Sequence, residues 1–335
     1  MAIIANYYVD PVTGLDTNDG LSTSAPFATF QKGADVATAG QIVACKTSGG
    51  ASDEQPSLTI DLDTNTGTST DGFIQFIGVN SSWDYDGTRY ILDGSLVANL
   101  LTFSSKTRLA FVAIEFNNAT GNPLAGTGGD NTYFINCAFR NNGSTVSFSP
   151  CGTAYVVMCG SFGNDGDGFS MPYSAGHILL SVAGYNTGDG IELISNSSYL
   201  NSAISCLSFN NGGEGIDSRY GENVVYQCTS NDNGASGINV DDYCCVFGNR
   251  TTNNARYGIE TKLNATYGFI GFNYINGNTL GAIGAAQAEK ILDNFGLDSN
   301  IYSGVDGYNA PNTPDYDFNL TADATMRDIA ITLPS

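Results

Sequence analysis

A short pattern that returns every twenty-odd residues between Tyr133 and Gln287 constrains this chain more than any other feature. Each return contains two short runs of alternating apolar and polar residues, separated by a turn cluster such as Asn-Asn-Gly or Asp-Gly-Asp-Gly. The glycine that opens the second run recurs at intervals of 21 to 25 residues, at Gly168, Gly190, Gly215, Gly237, Gly258 and Gly281. A drifting period of this length excludes collagen and heptad repeats.

Alternation with a period of two predicts half-buried strands, and Asn, Asp and Gly tolerate the left-handed backbone that a tight corner needs. Each return is therefore one coil, with an apolar inner edge that it cannot bury alone. Stacking the next coil about 4.8 Å above it buries that edge and supplies the ladder hydrogen bonds. We therefore expect an all-β fold, a single-stranded parallel β-helix.

Alignment of the coils gives two inner columns in which similar residues stack. The first column contains Cys137, Cys159, Val182, Cys206, Cys228, Asn249 and Phe272. The second contains Phe169, Ile191, Ile216, Ile238 and Ile259. Similar residues on successive rungs favour an in-register parallel ladder over an antiparallel sandwich.

The residues before the coils predict a cap. A strand at Tyr7–Asp10 precedes a turn-rich loop, and Ser24 or Thr23 is expected to cap a short helix that ends at Gly40. The apolar face of this helix would carry Phe27, Phe30, Ala34 and Ala37. Such a helix would cover the open strand edges at the end of the stack. We divide the chain into an N-terminal cap (1–45), the coils (46–287) and a C-terminal cap and tail (288–335), with a short helix over 288–297.

The run YYVDPVTGLDTNDGLSTSAPFATFQKGADVATAGQIV, which begins at Tyr7, resembles the opening of right-handed parallel β-helix proteins of the pectate-lyase-like superfamily. The coils from Tyr133 onward resemble them too. The resemblance implies a right-handed solenoid with a capping helix. It implies less about activity, because that superfamily includes lyases, hydrolases, epimerases and non-enzymatic phage tailspikes and fibres.

The charge balance argues against several classes of partner. The chain has 12 basic and 33 acidic residues and a net charge of −21. Phosphate binding needs clustered Lys and Arg, so we expect neither nucleic acid nor an anionic membrane surface as a partner. No run of about 18 apolar residues predicts a membrane span.

The cysteines and the N-terminus bear on where the protein works. Four of the eight cysteines fall on the first inner column, which favours buried thiols over disulfides, and no Cys/His spacing fits zinc. Met1 is followed by AIIANYYVDP, which has neither a basic segment nor a small-residue cleavage site. We therefore expect no conventional secretory signal.

The residues that follow the inner position of each second strand should point outward and form columns. One column contains Ser170, Glu192, Asp217, Asn239 and Glu260, and the next contains Ile194, Arg219, Asp241 and Lys262. From these columns the candidate catalytic residues are Glu192, Asp217, Arg219, Asp241 and Glu260.

Two kinds of chemistry fit these residues. Adjacent coils would place Glu192 and Asp217 about 5 Å apart, the spacing of a retaining glycosidase pair. Alternatively, Asp217, Asp241 and Asp242 with Arg219 would bind an acidic sugar through the arginine, while a carboxylate or Lys262 abstracts a proton. A solvated ladder of ion pairs would explain the same residues without any catalysis.

Other candidates are isolated. Trp83 and Tyr85 lie in a projecting loop and could stack on a sugar ring or fold back on their own coil. His177 has no acid partner in the sequence. Asp165, Asp167 and Asp189 lie in turns that could hold Ca²⁺, but corner geometry explains them without an ion, so we expect no metal and no cofactor.

Two functions are compatible with these features. The first is a structural virion protein, such as a phage tailspike, fibre or capsid-attached decoration. It would be non-enzymatic and trimeric, would be attached to other virion proteins, would contact a cell-surface polysaccharide, and would be made in the host cytoplasm without a signal. The alternative is a polysaccharide-active enzyme (a lyase, epimerase or glycosidase) that uses the outward carboxylates and leaves the cell by non-classical export.

Overall fold

The computed structural model describes residues 3–50, 52–104, 108–127, 131–148, 152–172, 175–195, 200–241, 243–261, 269–284, 290–292, 294–296 and 302–303. Within these ranges the strands form sheets of 12, 10, 7 and 3 strands, and neighbouring strands pair in parallel. Successive coils stack along one axis, consistent with the predicted right-handed parallel β-helix. No helix in the described ranges is long and apolar enough to cross a membrane.

The strands are numbered in chain order and assigned to their sheets. Sheet 1 contains β1 (Tyr7–Val9), β2 (Ile42–Lys46), β4 (Ile74–Val79), β7 (Leu109–Val112), β10 (Thr132–Ile135), β12 (Thr153–Val157), β15 (Ala175–Leu179), β18 (Asn201–Ile204), β21 (Asn223–Tyr226), β24 (Cys245–Phe247), β27 (Phe269–Gly271) and β30 (Lys290–Leu292). Sheet 2 contains β5 (Tyr90–Asp93), β8 (Ile114–Asn117), β11 (Ala138–Arg140), β13 (Gly160–Phe162), β16 (Val182–Gly184), β19 (Leu207–Phe209), β22 (Thr229–Asn231), β25 (Arg250–Thr252), β28 (Tyr274–Asn276) and β31 (Phe295–Gly296). Sheet 3 contains β14 (Phe169–Pro172), β17 (Ile191–Ile194), β20 (Ile216–Arg219), β23 (Ile238–Val240), β26 (Tyr257–Thr261), β29 (Gly281–Gly284) and β32 (Tyr302–Ser303). A fourth, short sheet contains β3 (Ile60–Asp61), β6 (Leu101–Ser104) and β9 (Leu124–Thr127).

The predicted isoleucine column is confirmed. Its five residues are fully buried and are register partners on successive strands of sheet 3, namely Phe169, Ile191, Ile216, Ile238 and Ile259. The same register aligns the residues that follow them into a second column. The position of the functional candidates therefore follows directly from the core.

The predicted column at the first corner, between sheets 1 and 2, names the wrong residue in two coils, each time by one position. Ser181, not Val182, is the fully buried residue, and Asn273 replaces Phe272, which is 54% exposed. At this corner the inner side chain accepts the backbone N–H of the preceding coil, as in Cys137 N to Cys159 Sγ at 3.3 Å. The acceptors at this corner include Cys159, Ser181 and Asn249, and this polar role explains why the column is not uniformly apolar.

The seven described cysteines are free thiols. Those at the first corner also donate to main-chain carbonyls, for example Cys159 Sγ to Phe134 O at 3.3 Å. They are therefore hydrogen-bonding corner residues as well as buried side chains. Cys151 lies outside the described residues.

A ladder of buried asparagines forms the second corner, between sheets 2 and 3. Its members are Asn142, Asn164, Asn186, Asn211, Asn233, Asn254 and Asn278. Asn211 Oδ1 accepts both the backbone N–H of Asn186 (3.1 Å) and its side-chain amide (3.0 Å), and the same pair of bonds repeats from coil to coil. Backbone N–H groups at this bend have no partner in a strand, and the asparagine side chains supply them with acceptors.

The N-terminal helix, α1 (Phe30–Val36), is present but starts later than predicted. Its N-cap is Thr29, whose hydroxyl accepts Lys32 N, and not Ser24 or Thr23. The backbone before it is held extended, because Phe27 bridges to Val9 and Asp16 accepts the amides of Ala28 and Thr29.

The C-terminal end of the described chain consists of β-strands. The sequence predicts a short helix over 288–297, but Lys290–Leu292 and Phe295–Gly296 are strands that extend sheets 1 and 2. The division into cap, coils and tail remains a prediction, and the three sheets continue past residue 287.

We expect Asn211→Ala to destabilise the protein by about 2–5 kcal/mol, because it removes the acceptor of the Asn186 backbone N–H and of one N–H of its side-chain amide, whose other N–H still donates to Ser161 O. Urea unfolding monitored by circular dichroism measures this loss. Asn210→Gly is the matched control, since Asn210 is an exposed neighbour at φ 53° and glycine adopts that conformation freely. A loss for Asn211→Ala no larger than that of the control would contradict a structural role for the ladder.

Candidate functional site

The predicted carboxylate column lies on the outer face of sheet 3 but is not solvated. Glu192 on β17 and Asp217 on β20 are register partners, and both are buried. Ile191 and Leu193 on either side of Glu192 point into the core, so the acid lies on the opposite face. The acids therefore point outward as predicted, but they are buried, unlike the members of a solvated ion-pair ladder.

Arg219 joins three carboxylates from two coils. Its Nε contacts Asp217 Oδ2, its Nη1 lies 3.1 Å from Glu192 Oε1, and its Nη2 lies 3.5 Å from Asp189 Oδ2. The Arg219 side chain is 37% exposed, whereas that of Asp217 is 1% exposed. We call these four residues the Arg219 cluster; its guanidinium faces solvent and its carboxylates lie behind.

Each carboxylate in the cluster is fixed by a second donor. Ser170 Oγ donates to Glu192 at 2.6 Å, and Asn239 Nδ2 donates to Asp217 at 2.8 Å. The backbone N–H of Glu214 donates to Asp189 Oδ1 at 2.7 Å. One oxygen of each acid is thus anchored to the scaffold while the other faces Arg219.

Burial and mutual repulsion change the acidity of the cluster. Burial, and then the nearby Asp217 carboxylate, raise the pKa of Asp189 to about 7. Burial also raises the pKa of Glu192. Burial by itself would lower the pKa of Arg219, but Asp217 and Glu192 outweigh it and the pKa is raised. Near neutral pH, Asp189 can therefore exchange a proton beside a permanent positive charge.

The same three acids could act as ligands for a hard cation. Asp189, Glu192 and Asp217 bring one oxygen each within 4.8 Å of one another, and Ca²⁺ takes such ligands. Arg219 already contacts all three carboxylates. A cation would have to share or displace that guanidinium, so the donor set fits an arginine better than it fits a resident metal.

Asp189 is the cluster residue that the sequence prediction omits from the catalytic set. It belongs to a turn ladder in which Asp167 Oδ1 accepts Asp189 N at 2.8 Å and Asp189 Oδ1 accepts Glu214 N. The periodic acids at 167, 189 and 214 are visible in the sequence. The contact between Asp189 and Arg219 is not visible in the sequence, because it depends on the direction in which the turn points the Oδ2 atom of Asp189.

Two predicted residues lie outside the cluster. Glu260 pairs with Arg256 at 2.7 Å and accepts Ser236 Oγ at 2.6 Å, forming a separate polar group on later coils. Asp241 follows β23, and in the described part of the chain it makes no hydrogen bond or ion pair with the cluster. Asp242 and Lys262 lie outside the described residues.

The predicted carbohydrate-contacting aromatics pack against sheet 1. Trp83 lies edge-on to Tyr8, with ring centroids 5.2 Å apart, and Lys46 Nζ lies 5.2 Å from its ring. Trp83 and Tyr85 border a small apolar patch around Ile77. This placement agrees with a loop that folds back on its own coil, and sugar binding by these residues remains a prediction.

His177 belongs to an outer aromatic column of sheet 1. Its ring lies 5.2 Å from that of Tyr155, and its Nδ1 is 2.9 Å from Ser202 Oγ. Burial lowers its pKa. These contacts give His177 a packing role.

Comparison with solved structures supports the fold. Pectate lyase Pel9A is similar to the chain with a TM-score of 0.51 and 13% identity, over 90% of this chain and 78% of the lyase. The chain shares its fold with pectate lyase Pel9A. At that identity the likeness is one of architecture, so the pectate-lyase-like β-helix positions the site but does not define its chemistry.

Two further structures are less similar. A rhamnogalacturonan lyase has a TM-score of 0.46 and 14% identity, over 85% of this chain and 84% of that chain. The A-module of the Azotobacter vinelandii mannuronan C-5 epimerase AlgE4 has a TM-score of 0.44 and 11% identity, over 82% and 81% of the two chains. No protein-family model and no curated protein sequence matches the chain.

Glu214 gives a pH test of this part of the β-helix. Burial raises its pKa from 4.5 to about 7, so the folded state binds the proton more tightly than the unfolded chain does. The stability that this proton contributes is present below pH 4.5 and is lost as pH rises through about 7. We expect Glu214→Gln, which keeps an acceptor for Ser236 N, to stabilise the protein by about 1–2 kcal/mol at pH 8 and by little at pH 4.

Urea unfolding at both pH values measures the effect of Glu214→Gln. Glu222→Gln is the control, because Glu222 is an exposed glutamate close by. An equal effect of Glu214→Gln at the two pH values would contradict the raised pKa.

Proposed function

We propose that this protein is a polysaccharide-active enzyme and that the Arg219 cluster is its acid–base centre. The observation that carries the proposal is Asp189, a carboxyl group with a pKa of about 7 held 3.5 Å from a half-exposed guanidinium. A group that titrates near the working pH is suited to proton transfer. Perturbed carboxyl groups of this kind are common at catalytic sites.

The fold does not require charge at these positions. In the same column, the coils on either side use Ser170 and Asn239, which are buried and uncharged. Burying carboxylates costs stability even when an arginine offsets part of the charge. Glu192 and Asp217 lie between Ser170 and Asn239 in this column. The burial of two acids there favours a chemical role over a solvated ion-pair ladder.

The residues of the cluster fit the steps of glycosidic bond cleavage. Asp189 in its protonated form donates a proton to the leaving oxygen, and ionised Glu192 attacks or stabilises the anomeric carbon. The oxygens of these acids lie within 4.8 Å, which suits the short separation of a retaining mechanism better than the wide one that accommodates a water. Asp189, now ionised, then takes a proton from the water that releases the product. Asp217 orients Arg219, whose positive charge opposes the effect of burial on the pKa of Glu192.

Elimination or epimerisation of a uronic acid is the second reaction open to these groups. It would use ionised Asp189 to remove a proton from a carbon next to the sugar carboxylate, with Arg219 neutralising that carboxylate. Arg219 already serves three carboxylates in the cluster. This competition favours hydrolysis, and the products distinguish the two reactions, since elimination gives an unsaturated sugar and hydrolysis gives a new reducing end.

We expect Asp189→Asn to lower kcat by about 10²–10⁴ on any polysaccharide that the wild type degrades, because the amide cannot transfer a proton. The measurement is a panel of neutral, amino and uronic acid glycans assayed for reducing ends and unsaturated products. For hydrolysis, wild-type activity should fall as pH rises through about 7, where Asp189 loses its proton. The residual activity of the variant should not show this fall.

Asp232→Asn is the matched control, since Asp232 is an exposed turn acid on a nearby coil. It should keep wild-type activity. Equal activity in the Asp189→Asn variant and the control would overturn the proposal.

The virion role, with its trimeric state, virion partners and virion localisation, remains a prediction. No contact in the described residues favours it over the enzymatic role. A protein that degrades no glycan in the panel and forms a stable trimer in solution would restore it as the better hypothesis.

A further inference from the structure

The outer face of sheet 1 is apolar over six consecutive coils, from β12 to β27. On each strand, the residue after a buried inner residue points away from the core. These outer residues are register partners, and they are Val157, Leu179, Ile204, Tyr226, Phe247 and Gly271. The five that carry side chains are partly exposed to solvent. Sheet 1 therefore presents an apolar column on the side that the core does not use.

Two uncharged columns lie beside this one. The first lies two residues earlier on each strand and runs from Tyr155 to Phe269. The second lies one residue later, at the first corner, and runs from Met158 to Phe272, both of which are exposed. Over the six coils, none of the three columns contains Asp, Glu, Lys or Arg. We call the three columns the sheet 1 stripe.

The other two long sheets carry charge on their outer faces. Glu115 and Arg140 pair on sheet 2, and Glu192 and Asp217 contact Arg219 on sheet 3. The whole chain has a net charge of −21. Two copies of so acidic a chain repel each other wherever their charged faces meet. Among the outer faces of the described strands, the sheet 1 stripe is where copies can approach without that repulsion.

The strands of sheet 1 have the composition of strands that are covered on both faces. Parallel strands buried on both faces are continuous apolar runs, whereas half-buried strands alternate. Sheet 1 contains the runs Val156-Val157, Ile178-Leu179, Val225-Tyr226 and Val246-Phe247. The first residue of each run is fully buried in the core. The second faces outward, so its apolar character has a reason outside the core.

The size of the stripe fits a small protein–protein interface. Six coils with a rise of about 4.8 Å give a length of about 30 Å, and residues spaced about 3.3 Å apart along the strands give a width of about 20 Å. This width includes the exposed residues Leu200 and Tyr243 at the third corner, with Glu222 between them at the rim. Two such surfaces would bury about 1,200 Å² in total, which is the lower end of the range for specific complexes.

We infer that a second copy of this chain packs its sheet 1 stripe against the first about a twofold axis. One self-complementary face forms a closed dimer, whereas a ring of three requires two different faces on each chain. A second copy supplies an uncharged apolar face of matching length. The Arg219 cluster is not part of the stripe, so the inference does not depend on the proposed function.

Sedimentation velocity of the full chain from about 0.1 to 100 μM measures the association. We expect a dimer with a Kd in the micromolar range, because the interface is small. Ile204 lies near the middle of the stripe, and Ile204→Asp places a charge on both sides of the contact. We expect this substitution to raise the Kd by about 100-fold or more, because each charge would lose its water without gaining a partner.

Leu207→Asp is the matched control. Leu207 lies on the same coil, on β19, and is a partly exposed outer residue of sheet 2. This substitution should leave the Kd for association within a factor of about three of wild type. Circular dichroism and urea unfolding show whether both variants are folded. An equal loss of association in the two variants would overturn the inference.

The thiol of Cys245 reports on the stripe in the wild-type chain, without any substitution. Cys245 lies in the column that runs from Tyr155 to Phe269 and is the partly exposed thiol among the described cysteines. Its rate of reaction with a maleimide, followed by mass spectrometry of its peptide, should fall by about tenfold or more as the concentration rises through the Kd. An equal rate in monomer and dimer would overturn the inference, as would a Cys245 that is already protected in the monomer.

The mass of the assembly decides the remaining outcomes. A dimer that Ile204→Asp dissociates and Leu207→Asp leaves intact would support the inference. A chain that stays monomeric at about 100 μM would overturn it, and so would a trimer.

Discussion

The structure depends on one repeated interaction, in which a side chain at the first or the second corner accepts the backbone N–H of the coil before it. Strands satisfy their own amides, but the bent residues between strands cannot, and an unpaired buried amide costs about 1–3 kcal/mol. The asparagine ladder at the second corner and the Cys, Ser and Asn column at the first supply those acceptors. Because each acceptor fits one amide, the corners lock the coils in register.

That register produces the candidate site. It places Glu192 directly beside Asp217, because the two residues are register partners on neighbouring strands. The resulting repulsion and burial are offset by Arg219 and by donors from Ser170 and Asn239. Burial and the nearby Asp217 carboxylate raise the pKa of Asp189 to about 7. The register that stabilises the coils therefore also sets the acidity of this group.

The fold and the site carry different information. The β-helix shared with pectate lyase Pel9A supplies a repeat that aligns side chains on successive coils. The proposed chemistry depends on a few side chains on two of those coils. Arg219 already serves three carboxylates, which disfavours an acidic sugar at this position. One architecture can carry different sites, so the likeness in fold does not define the chemistry.

The sequence by itself determined the coil, its period, the isoleucine column and the proximity of Glu192, Asp217 and Arg219, because a period of two and in-register stacking leave few alternatives. It placed the helix cap at Ser24 or Thr23 instead of Thr29, and it placed Val182 and Phe272 inside instead of Ser181 and Asn273. Only the tertiary structure decided that the outward acids are buried and that Asp189 joins them. Burial, and the direction in which a turn side chain points, depend on neighbours some 20 to 30 residues away in the chain, and a local pattern does not record them.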